Sequence, residues 1–203
     1  LAAQTLGATQ DKVSTTLDEL VLAGKLSRVK VGNLDAVYDS ASLRCEMEIE
    51  EKLDLLDRLC PRIEAGDVER FITRIELEED KKYHALQRKA ISDAINSGVM
   101  VLTGGPGTGK TTVIRAVIRV YESMDMRVAL AAPTGRAAKR MSEATQTEAK
   151  TIHRLLETDF TDGKRDNFKK NENDLLEEDV IIIDEASMID MFLMNSLLKA
   201  IKP

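Results

Sequence analysis

The apolar positions of the chain change their period near residue 99. Before it they recur at three- and four-residue spacings, as on helices that bury one face; after it they also form short unbroken runs. At the start, a short apolar helix ending at Leu6-Gly7 is expected, with Thr9 as N-cap of a second helix. Val13, Leu17, Leu20 and Val21 fall on one face of that helix, and Gly24 closes it. Arg28–Val31, the pair Gly32-Asn33, and Ala36–Tyr38 then predict a β-hairpin. Residues 1–40 thus predict a small α+β winged helix-turn-helix. Residues 41–98 predict a helical connector. Its first helix, over 41–60, carries Leu43, Met47, Leu53, Leu56 and Cys60 on or near one face, and Pro61 stops it. A second helical stretch over 66–97 ends at Gly98, with the acidic run Glu76–Asp80 expected as a solvated kink or loop.

Residues 99–203 predict an α/β domain. Val99–Thr103, Arg127–Ala132 and Val180–Ile183 are apolar runs of strand length, alternating with helices at about 110–123 and Arg136–Thr145. Continuous apolar strands between helices indicate a parallel sheet covered on both faces. The polar stretch 158–177, with Lys164, Arg165, Lys169 and Lys170, is expected as a surface excursion of that sheet.

The chain has 203 residues, 43% hydrophobic and 32% charged, which fits a folded protein of one substantial and one smaller domain. Its formal net charge of −6 argues against a basic nucleic-acid-coating protein. No apolar run approaches the roughly 20 residues that cross a bilayer, so no membrane association is expected. Two cysteines, Cys45 and Cys60, make no disulfide framework and fit a reducing cytoplasm. No Cys/His group has zinc spacing. Position 1 is Leu, so the chain is expected to be part of a longer one. For the second N-terminal helix, entry into a DNA groove competes with a structural or protein-contact role. Asp11, Asp18 and Glu19 would repel phosphates and only Lys12 is basic, which favours the latter.

Gly104-Gly105-Pro106-Gly107-Thr108-Gly109-Lys110-Thr111 matches the phosphate-binding loop pattern, between a predicted strand and a predicted helix. Glycines let backbone N–H groups close around phosphates, and the following helix adds its positive end to the anion site. Lys110 is placed to reach β- and γ-phosphates and the Thr111 hydroxyl to hold Mg²⁺, leaving Thr112 near the α-phosphate. Well separated from this loop, the run Val180–Ile183 ends in Asp184-Glu185. An acid at the carboxyl end of a buried strand suits Asp184 to Mg²⁺, and Glu185 to orienting or deprotonating a water. Loop and acid pair together predict a nucleoside-triphosphate hydrolase site.

Four segments, Gly104–Thr112, Ala132–Ala138, Thr151–Leu155 and Asp184–Asp190, resemble successive motifs of superfamily 1 helicases. Their wording is most similar to the RecD branch, which includes stand-alone RecD-like helicases and the exonuclease V alpha subunit. The resemblance covers about residues 83–203, and more loosely the winged-helix region. It implies a RecA-like sheet, truncated here, with ATP and Mg²⁺ as ligands. It also implies an adenine-reading role for Gln87 and a single-stranded-DNA contact formed by Pro133, Thr134, Gly135, Arg136 and Ala137. Lys139 and Arg140 lie nearby, and the likeness adds Thr151 and His153 to the contact. Partner nuclease or helicase subunits, 5′ to 3′ movement and a role in recombination or repair follow from the same likeness.

The third motif of such helicases, Gly-Asp followed by Gln, is expected after a helix such as Met191–Ile201, beyond Lys202-Pro203. The arginine finger of the second motor domain, worth about 10³–10⁵ in rate, is likewise not within the chain. The fragment is therefore expected to bind Mg-nucleotide but to turn it over slowly. Two other functions share parts of the pattern: the motor part of a conjugative relaxase, and a nucleotide-gated DNA-binding adaptor led by the winged helix.

Overall fold

The computed structural model describes residues 2–105, 107–158 and 168–202, and it divides into compact units of 1–50 and 51–203. Pro106, Lys164 and Arg165 lie outside the described residues.

In the first unit, α1 (Ala2–Leu6) and α2 (Gln10–Leu22) precede the antiparallel hairpin β1 (Leu26–Val31) and β2 (Leu34–Asp39). Gly32 takes φ +60 at the first central turn position, as a tight two-residue connection requires. Thr9 does precede α2, but its side chain makes no capping bond. Val13, Leu17, Leu20 and Val21 are only half-buried. Arg28, on the hairpin, is tied to Asp18 of α2 at 2.5 Å. The helix α3 (Ser40–Leu59) leaves this unit and ends two residues before Pro61, as the restricted backbone ahead of proline demands. Cys45 is its buried residue, whereas Met47 is 52% exposed.

The second unit continues with α4 (Ala65–Glu78), α5 (Ala85–Asn96) and α6 (Lys110–Ser123). Then follow β3 (Val128–Ala132), α7 (Gly135–Thr145), β4 (Ala149–Thr151), α8 (Ile152–Leu155), β5 (Val180–Ile183) and α9 (Met191–Ala200). The sheet is parallel, in the order β4-β3-β5, with Leu130 opposite Ala149 on one side and Ile182 on the other. Strand alternation divides its side chains between two faces. Val128, Val180 and Ile182 pack into the cluster of α4, α5 and α6, around Ile72, Ile91 and Val120. Ala129, Ala131, Ile181 and Ile183 face α8 and α9, around Ile152, Leu156 and Leu197. The fold is therefore α/β, a partial phosphate-loop sheet covered on both faces.

Three expectations change. Residues 99–103 form no strand. The N–H groups of Gly98 and Val99 both donate to the Asp57 carboxylate, at 3.2 and 3.4 Å, rather than to a neighbouring strand. Leu102 turns into the core while Val101 stays 80% exposed. The acidic run Glu76–Asp80 is not simply solvated. Glu76, in the last turn of α4, and Glu79, its C-cap residue, have side chains only 10% and 14% exposed. Arg88 meets Glu76 at 2.6 Å, and the Glu76 carboxylate also accepts the Tyr83 N–H at 2.8 Å. Arg119 lies 3.3 Å from Glu79, without hydrogen-bonding geometry, and the Tyr83 hydroxyl donates to Glu79 at 3.1 Å. Finally, the polar stretch after residue 158 sends Phe168 and Leu176 into the core, and the Leu176 N–H bonds to Ala200. Among the described residues no helix is long and apolar enough to cross a membrane.

Candidate nucleotide-binding site

The Gly-rich loop opens directly onto α6. Gly109 is the N-cap residue, at φ 85 and ψ 23, and Gly107 has φ 75. Both are left-handed positions where a side chain is strained. The Thr108 hydroxyl donates to the Gly105 carbonyl at 2.9 Å, and a Cβ on Gly104 would come within 2.7 Å of that hydroxyl. Lys110 folds back so that its ammonium donates to the carbonyls of Gly104 and Gly105, at 2.5 and 3.0 Å. A lysine ammonium has three donors, so the ring formed by loop and lysine retains capacity for an anion. Thr111 is exposed and Thr112 half-buried on the first turn of α6.

Gln87 reaches the same loop from α5. Its carbonyl oxygen accepts the His84 N–H at 3.0 Å, and its amide nitrogen lies where a Cβ on Gly109 would be 2.3 Å away. His84 accepts the Leu86 N–H in turn, so histidine and glutamine cap α5 reciprocally. Gln87, Gly109 and Lys110 are thus brought together by contact. Sequence reasoning missed Lys81, whose ammonium donates to the Thr112 hydroxyl at 3.5 Å and lies 5.9 Å from the Tyr83 ring centre. Burial and the Glu79 hydrogen bond push the Tyr83 hydroxyl up to about 12. The spacing His84-x-x-Gln87 was the available sign of the cap; nothing local marks Lys81.

Asp184 and Glu185 follow β5. The Asp184 N–H extends the parallel ladder to Ala131 at 3.0 Å, and its carboxylate accepts the Glu185 N–H at 2.9 Å. Leu102 before the loop and Val113 in α6 share a hydrophobic cluster with Val180 and Ile182. The loop's flanks and the strand carrying Asp184 therefore pack as one body. Glu185 has φ 53 and is ion-paired with Arg140 of α7.

The remaining predicted residues gather at the carboxyl ends of β3 and β4. Register places Ala132 beside Thr151, so Pro133–Arg136 and Thr151–His153 leave the sheet side by side. This is the edge at which open parallel sheets take ligands. Thr134 caps α7 by accepting the Ala137 N–H at 3.2 Å, and Thr151 caps α8 by accepting the Arg154 N–H at 3.2 Å. Arg136 is exposed with no ion pair among the described residues. His153 is exposed too, its ring edge-to-face with Phe168 at 5.8 Å.

A family model described as an AAA domain matches residues 87–203, which run from Gln87 through the loop, the sheet and α9. The chain belongs to the AAA-domain family. Within it, this AAA domain is similar to the RecBCD enzyme subunit RecD of Mycobacterium tuberculosis, 40% identical over 140 residues, covering 58% of the chain and 24% of that relative. It is similar also to the ATP-dependent RecD2 DNA helicase of Deinococcus radiodurans, 42% identical over 117 residues, 58% of the chain and 16% of the relative. The Haemophilus influenzae RecBCD enzyme subunit RecD is 33% identical over 141 residues, 58% and 22%. The α/β unit is similar to part of these relatives, and the chain spans about a quarter or less of their length.

Proposed function

We propose that this chain is the nucleotide-binding part of an ATP-dependent DNA helicase or translocase of the RecD type. In this reading ATP hydrolysis moves single-stranded DNA, 5′ to 3′, in cytoplasmic recombination or repair, with partner nuclease or helicase subunits. The helicase reading is supported by the likeness to an ATP-dependent RecD2 DNA helicase, and partner subunits by the likeness to RecBCD enzyme subunits. Residues 1–40 act as a winged helix, 41–98 as a connector delivering Gln87, and 99–203 as the partial motor domain.

The observation that carries the reading is the convergence of Gln87, Gly109 and Lys110 on one loop at the start of α6. Gln87 offers an amide with both donor and acceptor to a base edge. Backbone N–H groups of Gly105, Pro106-flanking Gly107, Thr108, Gly109, Lys110, Thr111 and Thr112 face an anion at the helix's positive end. Lys110 exchanges loop carbonyls for phosphate oxygens, a stronger charge-assisted contact. Thr111 and Asp184 supply hydroxyl and carboxylate oxygens, the donor set a hard cation takes beside phosphates. Mg²⁺, if held by Thr111 and Asp184, would neutralise phosphate charge. Glu185 accepts the proton of the attacking water. Pro133, Thr134, Gly135 and Arg136, with His153 beside them, offer a helix N-terminus and exposed cations to a strand's phosphates.

Thermal denaturation with and without Mg-ATP tests this. A ligand at about 100 times its dissociation constant stabilises by about 2.7 kcal/mol, and Lys110→Ala is expected to abolish that gain. An unchanged melting shift in Lys110→Ala refutes the loop assignment.

A further inference from the structure

The segment joining α4 to α5 is held along one face of α6. Thr112, Arg115 and Arg119 recur at helical spacing and share that face. Glu79 lies 3.3 Å from Arg119 and 4.0 Å from Arg115. Two positions on, the Lys81 ammonium donates to the Thr112 hydroxyl on the first turn of the same helix. The segment thus runs along α6 towards the phosphate loop. Its backbone is fixed at the point from which Lys81 projects. The Lys81 N–H donates to the Glu76 carbonyl at 3.0 Å and the Asp80 N–H to that of Leu77 at 3.4 Å, with Asp80 at φ +48. Two such bonds around a left-handed residue close a helix end, here with aspartate where glycine is commonest. On the other side Tyr83 is 6% exposed, and its N–H is bonded to Glu76. Lys81 itself is exposed and is paired with no carboxylate among the described residues.

We infer that Lys81 is a nucleotide-binding residue whose ammonium takes a non-bridging oxygen of the α-phosphate. The inference rests on the reading of Gly104–Thr112 as the phosphate loop, which puts Thr112 beside that phosphate. Without an anion the ammonium is poorly placed. The first turn of a helix carries positive partial charge and Lys110 adds a full one, so a second lysine there is repelled. Its only hydrogen-bond acceptor among the described residues is the neutral Thr112 hydroxyl, at a long 3.5 Å. A phosphate oxygen makes a shorter and stronger charge-assisted bond. An ammonium has three donors, so Lys81 can keep the threonine while it holds the phosphate. Lys81 and Gln87 stand on either side of the entry to α5, and one pinned segment therefore serves both the base and the α-phosphate.

Calorimetric titration of Mg-ADP and Mg-ATP into the chain and its variants tests the contact. Lys81→Gln is expected to lose about three- to tenfold in affinity, the worth of an exposed charge-assisted bond. The α-phosphate is common to both nucleotides, so the factor should be the same for both. Lys81→Arg should keep most of the affinity, and added salt should weaken binding less steeply in Lys81→Gln than in the unaltered chain. Lys82→Gln removes the neighbouring exposed lysine and measures the general effect of one positive charge, expected at about twofold or less. A loss confined to ATP, an equal loss in Lys82→Gln, or full affinity in Lys81→Gln overturns the inference. In each of those cases the loop reading still stands if Lys110→Ala binds neither nucleotide. If the unaltered chain binds neither, the loop reading falls and the Lys81 contact with it. The urea midpoint of Lys81→Gln should match that of the unaltered chain, which verifies that the fold is retained.

Discussion

Replacing Gly109 by Ala perturbs the loop in two separable ways. At φ +85 an alanine is strained in the left-handed region, at a cost of about 1–2 kcal/mol. Its Cβ would also stand 2.3 Å from the Gln87 amide nitrogen. The glutamine is the flexible partner and must withdraw, giving up the hydrogen bond from His84, worth about 0.5–1.5 kcal/mol. The expected loss of stability is therefore roughly 2–3 kcal/mol. Urea denaturation followed by far-ultraviolet circular dichroism reads this as a lower midpoint at unchanged slope. Gln87→Ala alone forfeits only the cap bond, and the double variant should be about as stable as Gly109→Ala, because the clash has nothing left to displace. The coupling expected is about 1 kcal/mol. A Gly109→Ala chain within about 0.5 kcal/mol of the original, or strictly additive losses, would refute the close approach of Gln87 to the loop.

Three further outcomes are expected. Ile91→Ala, at a site with 0% exposure in the core beneath α6, should cost about 2–5 kcal/mol in the same urea assay. Asp190→Ala removes the side chain that accepts the Leu193 N–H at 3.0 Å and caps α9; about 1 kcal/mol should be lost, with no change in Mg-ATP affinity by calorimetry. The Arg88 hydrogen bond holds the Glu76 carboxyl below the usual glutamate range, against the opposing effect of burial. A depressed folded value means this stabilisation is present above the ordinary glutamate range and is lost as pH falls through it towards the depressed value. Glu76→Gln should therefore lower the urea midpoint at neutral pH and flatten its decline in acid; an equally steep decline would remove Glu76 from the account.

The elements read most directly from sequence were those whose reasons are local. Helix α6 announces itself through the glycines before Lys110, and β5 through four consecutive branched residues closed by Asp184-Glu185. Strand β4 is three residues long and carries no periodic signal of its own. The run 99–103 has a strand's composition, yet Asp57, some forty positions away, takes its first amides. Glu76 and Glu79 look solvated until Arg88, Arg119 and Tyr83 are folded onto them. Within the candidate site the loop pattern and the acid pair stand out in the sequence, and Gln87 does so only through the family resemblance. The Lys81–Thr112 contact and the Arg140–Glu185 pair were not, since both join segments far apart along the chain.

The central position of β3 bears on how the chain folds during synthesis. Both of its neighbours come later, and the partner of Val128, Val180, is about fifty residues downstream. At roughly 5–20 residues per second of elongation, the strand waits several seconds with one side unfilled. Such a wait invites misassociation when the waiting strand is long, branched and sticky. Here it is Val-Ala-Leu-Ala-Ala, three alanines in five residues, so little apolar surface is shown to other nascent chains. The bulky members of the sheet, Val180-Ile-Ile-Ile183, emerge last and find β3 already synthesised.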